Sequence, residues 1–230
     1  MSIFCKRLSS TLSTVFRGNA FEERSVSVLQ KLSMSLLKVG GKSDGGVDLQ
    51  GWWFVPISPH RLKEQQRITG EVIKTWKAPD GTIRRRLRIL GQCKAEQKKI
   101  GPRYIRELEG VLARHESSLN NPVIGLLVSE SEFSRSTLLT AYSSRLPLFL
   151  LQLPPEPETS ENVEPDKIGS AVWNPALGGL FKGDLEIRWE RSAHCLEGRP
   201  TLWWGRDNRV EGWIPPGNDE LFSPQSNTPP

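Results

Sequence analysis

The sequence predicts an α/β fold, on three observations. Apolar residues recur at helical spacing over 21–38, 102–116 and 133–144. Runs rich in β-formers and leucine lie at 47–54, 87–94, 123–128 and 146–153. Their order along the chain, helix, strands, helix, strand, helix, strand, is an α/β order.

Each element has its own signal. In the first helix Phe21, Ser25, Val28, Leu29 and Leu32 line one face, and a Gly/Ser/Asp cluster through Gly46 ends it. The strand at 47–54 follows. Residues 55–86 read as a poorly patterned insertion, broken by Pro56, Pro59, Pro79 and the Asp80-Gly81 turn signal. That insertion is basic, and Lys74, Lys77, Arg84, Arg85 and Arg86 are its candidate nucleic-acid contacts; a solvated loop is the other reading. Ile105, Leu108 and Leu112 mark the second helix.

Composition excludes several classes. With 37% hydrophobic and 25% charged residues, the chain matches an ordinary soluble domain. No apolar run approaches the roughly 18–20 residues that cross a bilayer, so no membrane insertion is expected. Cys5, Cys93 and Cys195 are odd in number and scattered, which argues against a disulfide framework or a zinc knuckle. The net charge of +5 is unevenly placed: +3 in 1–20, +8 in 21–150 and −6 in 151–230. A phosphate-bearing partner would meet the basic middle.

The ends differ from the middle. Residues 1–20 contain Lys6, Arg7 and Arg17, no acid, and Ile3, Phe4, Leu8, Leu12, Val15 and Phe16 near one helical face. This is the pattern of a mitochondrial presequence, with a basic tail or a first helix of the fold as alternatives. Residues 21–153 form the expected main domain and 154–167 an acidic, Pro-rich linker. Residues 168–215 form a Trp-rich extension expected to pack on the core through a short hairpin, and 216–230 are expected to be disordered.

Chemistry converges on two strands. Asp48 stands between Val47 and Leu49, so alternation sets its side chain on the opposite face. Gln92 and Lys94 project from one face about 6.5–7 Å apart along the strand, while Cys93 points toward the core. An amide oxygen and an ammonium at a strand end are costly to bury without a partner. A divalent cation bound by Asp48 and the Gln92 oxygen would be that partner. The Cys93 carbonyl could complete its protein ligands, since hard cations accept carboxylate and carbonyl oxygens. Lys94 would hold and help deprotonate a water for attack on phosphorus. Glu22 shares a face with Val26 and Leu29, the packed side, and Glu23 shares the watery side with Ser27 and Gln30. Glu22 is therefore the candidate to reach the site from the first helix, unless its place near a helix N-terminus is reason enough for it.

These residues carry a resemblance. Phe21-Glu22, Gly45-Gly46-Val47-Asp48-Leu49 and Gln92-Cys93-Lys94 resemble the Mrr-like branch of the PD-(D/E)XK nucleases. The likeness continues through Ile100-Gly101, Arg106-Glu107-Leu108, 125–129, Phe133-Ser134 and 148–153. It implies a restriction-endonuclease-like core, αβββαβ, here with the basic insertion and the Trp-rich C-terminal β extension. It also implies Mg²⁺ or Mn²⁺ as cofactor and Glu22, Asp48, Gln92 and Lys94 as the catalytic set. Gln92 stands where the common superfamily motif has an acid, so the site carries one fewer negative charge. Gly51-Trp52-Trp53 and Trp173-Asn174-Pro175-Ala176-Leu177 further resemble the seventh of the fungal mitochondrial families named "required for respiratory growth". That implies a mitochondrial, matrix location. The expectation is a metal-dependent nuclease acting on nucleic acid, mitochondrial DNA before RNA. The alternative is a non-catalytic nucleic-acid-binding or assembly factor on the same fold.

Overall fold

The computed structural model describes residues 14–39, 45–115, 122–155, 168–192, 195–205, 208–209 and 212–217. The presequence reading for 1–13, most of the acidic linker and the tail beyond 217 lie outside them.

Helix α1 (Thr14–Lys31) buries Phe21, Ser25, Val28 and Leu29 along one face. It begins seven residues before the expected start of the domain. Arg17, placed at first in the leader, pairs with Glu130 in the folded body. The helix also ends early: Ser33 has φ 65 and turns the chain into β1 (Met34–Lys38). The helix expected over 21–38 is thus a helix and a strand. Leu32 and Leu36 stand at helical spacing, but Met34 and Leu36 are buried in alternation, as an edge strand requires.

Strand β2 (Leu49–Pro56) pairs antiparallel with β1, from Met34↔Trp53 to Lys38↔Leu49. The expected insertion contains regular elements and is shorter than its sequence implied. Val55 and Pro56 finish β2; α2 (Pro59–Thr69) follows, capped by Ser58 and by left-handed Gly70. After β3 (Thr75–Lys77) comes β4 (Ile83–Lys94), twelve residues long, which takes Arg84–Arg86 into the sheet. Then come α3 (Arg103–Leu112), β5 (Val123–Ser129), α4 (Arg135–Ser143) and β6 (Leu148–Gln152). The order α1, β1, β2, β4, α3, β5 is the expected αβββαβ order of the restriction-endonuclease-like core. Beyond it, β7 (Ser170–Trp173) and α5 (Pro175–Phe181) precede β8 (Leu185–Ser192), β9 (Cys195–Trp204) and β10 (Asn208–Arg209).

One seven-stranded mixed sheet runs β1-β2-β4-β5-β6-β7, with β3 also paired to β4. Strands β4, β5 and β6 are parallel, and the flanking pairings are antiparallel. Two apolar clusters cover its faces. On one face α1 and α5 pack on Leu49, Trp53, Leu87, Ile89, Leu126 and Phe149. On the other, α3 and α4 pack on Val47, Leu90, Leu127 and Leu150. Leu185, Leu202, Ile187 and Trp204 of the three-stranded β10-β9-β8 sheet join the first cluster, so the Trp-rich end closes the α1 side of the core. Trp53 stacks on Phe149 with centroids 5.5 Å apart and meets Phe181 edge-on, an arrangement that aromatic quadrupoles favour.

Asn174 of the Trp-Asn-Pro-Ala-Leu motif is buried and structural. Its amide donates to the carbonyls of Ala141, Ser144 and Leu146, and its oxygen accepts from the Leu148 and Leu177 amides. One side chain therefore caps α5 and satisfies the α4–β6 connection.

Candidate functional site

The Gly45–Gly46 turn sets Asp48 in place. Both glycines have positive φ, 64° and 87°, a region that side-chain-bearing residues rarely adopt. A Cβ on Gly46 would also stand 2.9 Å from Gln92 Nε2. Asp48 then enters the ladder, its amide donating to the Gly91 carbonyl at 2.9 Å. Its carboxylate Oδ2 accepts the Cys93 backbone N–H at 2.7 Å. Asp48 thus lies against the strand segment that carries Gln92, Cys93 and Lys94.

Gln92 is only 3% exposed. Its Nε2 donates to the Gly46 carbonyl, which accepts only, so the amide can point just one way. That leaves Gln92 Oε1 buried with no hydrogen-bond partner among the described residues. An orphaned buried acceptor, one position from the backbone N–H that binds a carboxylate, is a feature that a hard cation fits. The residues present therefore suit Mg²⁺ or Mn²⁺, with Asp48 and Gln92 as side-chain ligands. Among the described residues no three His, Cys, Asp or Glu gather to hold a metal, so any cation here depends on amide and backbone oxygens.

Lys94 lies on the same strand face as Gln92, its ammonium 5.4 Å from the Tyr104 ring centre on α3. It enters no ion pair among the described residues. Cys93 faces the other way and packs with the α1-side cluster. Burial pushes its thiol pKa well up, an effect that the Ser25 hydrogen bond offsets only in part. A thiol so disfavoured as thiolate is a poor ligand, and the Cys93 backbone carbonyl remains the candidate.

Glu22 faces inward as the helix phase requires, its side chain 21% exposed against 72% for Glu23. Its carboxylate pairs with Lys38 at 3.2 Å and contributes to the field at Cys93. Burial lowers the Lys38 pKa, but hydrogen bonds and charge from Glu22 and Glu23 outweigh it and the net shift is upward. The structure therefore brings Asp48, Gln92, Cys93 and Lys94 together and leaves Glu22 on the α1 side, engaged by Lys38.

The basic candidates divide. Arg84 is fully buried, bonded to Asp80 at 2.6 Å and to the Ser33 hydroxyl at 2.9 Å. Arg85 is 6% exposed and bonded to Gln65 and the Leu180 carbonyl. Neither can meet a nucleic-acid backbone, because β4 turns both into the fold. Lys74 and Lys77 are exposed, with Lys74 5.4 Å from the Trp76 ring centre. Arg86 lies 3.9 Å over the Trp52 ring, and Arg88, absent from the sequence-based candidates, lies 5.1 Å over the same ring. Arg86, Arg88, Gln92 and Lys94 share strand parity, so the two arginines stand on the sheet face of the candidate site, about 13–20 Å from Gln92. That parity was the available signal for Arg88. Burial lowers the pKa of both arginines, and the Arg88 charge adds to the effect at Arg86. Burial and the charges of Arg88 and Arg114 likewise lower His115, which marks this rim as electropositive. Arg106 and Arg114 flank the groove above Gln92.

A mixed sheet between helices in the order αβββαβ, with Asp48 leading into β2 beside the Gln-x-Lys end of β4, gives this protein the restriction-endonuclease-like α/β fold. The chain belongs to the family described as Required for respiratory growth protein 7, whose model matches residues 13–176. An uncharacterised mitochondrial protein of Schizosaccharomyces pombe is 31% identical over 179 residues, 78% of this chain and 58% of its own length. Proteins named "Required for respiratory growth protein 7, mitochondrial" match from several yeasts. That of Vanderwaltozyma polyspora is 30% identical over 61% of this chain and 64% of its own length. That of Saccharomyces cerevisiae (strain YJM789) is 34% identical over 61% of this chain and 66% of its own length. The chain thus spans less than two thirds of each of these three relatives. A solved structure of the MspJI restriction endonuclease with a 27-mer oligonucleotide aligns with a TM-score of 0.37 at 20% identity, over 58% of this chain and 25% of that one. No helix among the described residues is long and apolar enough to cross a membrane.

Proposed function

We propose that this chain is a mitochondrial, metal-dependent phosphodiesterase acting on nucleic acid, DNA before RNA, and serving respiratory growth. The observation that carries this is Gln92 Oε1, buried and without a hydrogen-bond partner among the described residues, one position from Cys93, whose backbone N–H the Asp48 carboxylate accepts. Asp48, Gln92 and the Cys93 carbonyl would hold Mg²⁺ or Mn²⁺. When bound, the cation supplies charge neutralisation at the scissile phosphate and a more acidic water. Lys94, on the same strand face, would orient that water through Nζ. Arg86 and Arg88, braced on Trp52, bind backbone phosphates and set the strand's register without reading bases. An anion over this pair relieves their mutual repulsion. The matrix is the compartment that this substrate implies.

A second reading is favoured by one contact. Glu22, the expected fourth member of the catalytic set, is held by Lys38. A fold with that acid diverted would bind nucleic acid without cutting it. Cleavage of labelled single- and double-stranded DNA and RNA by the full chain, with Mg²⁺, Mn²⁺ or EDTA, separates the two readings. Metal-dependent cutting that Lys94→Ala abolishes supports the phosphodiesterase. Equal, salt-sensitive binding by both proteins with no product supports the binding factor.

A further inference from the structure

Helix α2 is capped at both ends yet has no buried residue. Its inner face looks onto a cavity of about 190 Å³ that also touches β2, β4, α5 and β9. Ile57, Ile68, Leu180, Phe181 and Trp204 make much of this wall apolar, and the guanidinium groups of Arg61 and Arg85 open onto the same space.

The charges around the cavity do not balance. Arg61 pairs with Asp184 at 2.9 Å, and Lys182 meets Glu64 at 4.0 Å. Arg85 enters no ion pair among the described residues, although it is the most buried of the three cations. It donates to Gln65 Oε1 at 2.8 Å and to the Leu180 carbonyl at 3.3 Å, both neutral acceptors. Burial, and then the neighbouring Arg61 charge, lower its pKa to about 10, so it remains a cation at neutral pH. A purely structural role explains Arg61, which bonds the Phe181 and Lys182 carbonyls at the end of α5. It does not explain a second guanidinium, buried without a carboxylate partner among the described residues, that lines the same apolar cavity. A buried charge is tolerated when it is paired.

We propose that this cavity binds a small organic anion, a phosphate or carboxylate attached to an apolar group. The acid group meets Arg85 and Arg61, and the apolar body lies against Phe181 and Trp204. The site is separate from the nuclease-like site. Arg85 and Gln92 have opposite strand parity and are seven residues apart, about 23 Å along β4 and on opposite faces of the sheet.

Calorimetric titration of the full chain with phenyl phosphate and with benzoate tests this, with phenol as the uncharged control. At least one anion should bind while phenol binds tenfold or more weakly. Arg85→Met should weaken the anion at least tenfold. Ile68→Trp, at an exposed helix position, should fill the space and do the same without threatening the fold. Lys94→Ala should leave the affinity unchanged. The proposal fails if neither anion binds the wild-type chain. It also fails if binding survives both Arg85→Met and Ile68→Trp, or if Lys94→Ala removes it.

Discussion

Asp48 Oδ2 accepts the Cys93 backbone N–H at 2.7 Å, so a carboxylate at the start of β2 is tied to β4 between Gln92 and Lys94. That bond ties the two segments through protein groups alone, and it makes the roles of charge and shape separable. Asp48→Asn keeps an oxygen acceptor for Cys93 and removes the charge. It should fold within roughly 1 kcal/mol of the wild type, the worth of a charge-assisted over a neutral bond. It should nonetheless cut at least a hundredfold more slowly, if Asp48 holds the cation. Asp48→Ala should lose about 1–3 kcal/mol in addition, because the Cys93 amide is left unpaired. Urea unfolding and single-turnover cleavage of the two variants check this.

Gln92 offers a complementary test. Replacing it with Glu restores the acid that the common superfamily motif carries at this position. The new carboxylate has no donor for the Gly46 carbonyl and meets it with repulsion, so the metal-free protein should lose about 1–3 kcal/mol. The added charge should at the same time tighten Mn²⁺ binding severalfold, and Mn²⁺ should recover part of the lost stability by binding only the folded state. Thermal melts with and without Mn²⁺ measure both effects. A Gln92→Glu protein that is less stable and binds Mn²⁺ no better would remove Gln92 from the ligand set.

Much of this site was legible before the structure, and the reason is periodicity. Alternation put Gln92 and Lys94 on one face and Cys93 on the other, but it failed around Asp48. Val47 packs with the α3-side cluster and Leu49 with the α1-side cluster, because residues 45–48 turn and bend into a strand that begins only at Leu49. The helix phase chose Glu22 over Glu23. Local pattern failed where the deciding contact is distant. Met34–Lys38 follow a helix without a glycine or proline to end it; Ser33 alone makes the left-handed turn, and the pairing of Met34 with Trp53 decides the strand. Arg84 and Arg85 looked exposed because arginine usually is. Their burial rests on Ser33, Gln65, Asp80 and the Leu180 carbonyl, and only Asp80 is near in sequence.

The arginines of β4 should therefore separate by function. Arg86→Ala and Arg88→Ala should each weaken nucleic-acid binding and lower the dependence of log affinity on log salt by about one phosphate contact, ~0.9 on duplex DNA. Their melting temperatures should change little. Arg84→Met should instead cost about 2–4 kcal/mol, because a buried hydrogen-bonded cation is removed from Asp80 and Ser33. Its folded fraction should bind nucleic acid like the wild type. Salt titrations of binding, paired with melts, distinguish the two groups.

Asp80 gives the Arg84 contact a pH signature. Burial acts to raise the Asp80 pKa, but bonds from Thr82 and Arg84 outweigh it and the net shift is downward. A carboxyl with a depressed folded pKa contributes stability above its unfolded pKa, about 3.9, and loses it as pH falls through the folded value. Wild-type and Asp80→Asn proteins should differ most near neutral pH. The difference should begin to shrink below about pH 4 and continue to shrink as pH falls through the depressed folded value. Denaturant midpoints at pH 7 and pH 3 measure this, and a difference that does not shrink on acidification would contradict it.

Asn174 supports a large change from a single substitution far from the site. Its amide holds the Ala141, Ser144 and Leu146 carbonyls, and its oxygen holds the Leu148 and Leu177 amides. Asn174→Ala removes the cap of α5 and leaves several buried groups unpaired, a loss of about 2–4 kcal/mol. For a domain of this size that is a fall of roughly 5–15 °C in melting temperature. Asn174→Asp separates capping from carbonyl bonding. Aspartate caps helices as well as asparagine, so a role in capping alone would leave this variant near the wild type. Its carboxylate, however, must face three carbonyl oxygens that the amide had served as donor. Asn174→Asp should therefore melt no higher than Asn174→Ala at pH 7 and recover as the carboxyl is protonated at low pH. An Asn174→Asp protein with wild-type stability at pH 7 would place the residue's whole contribution in the cap of α5.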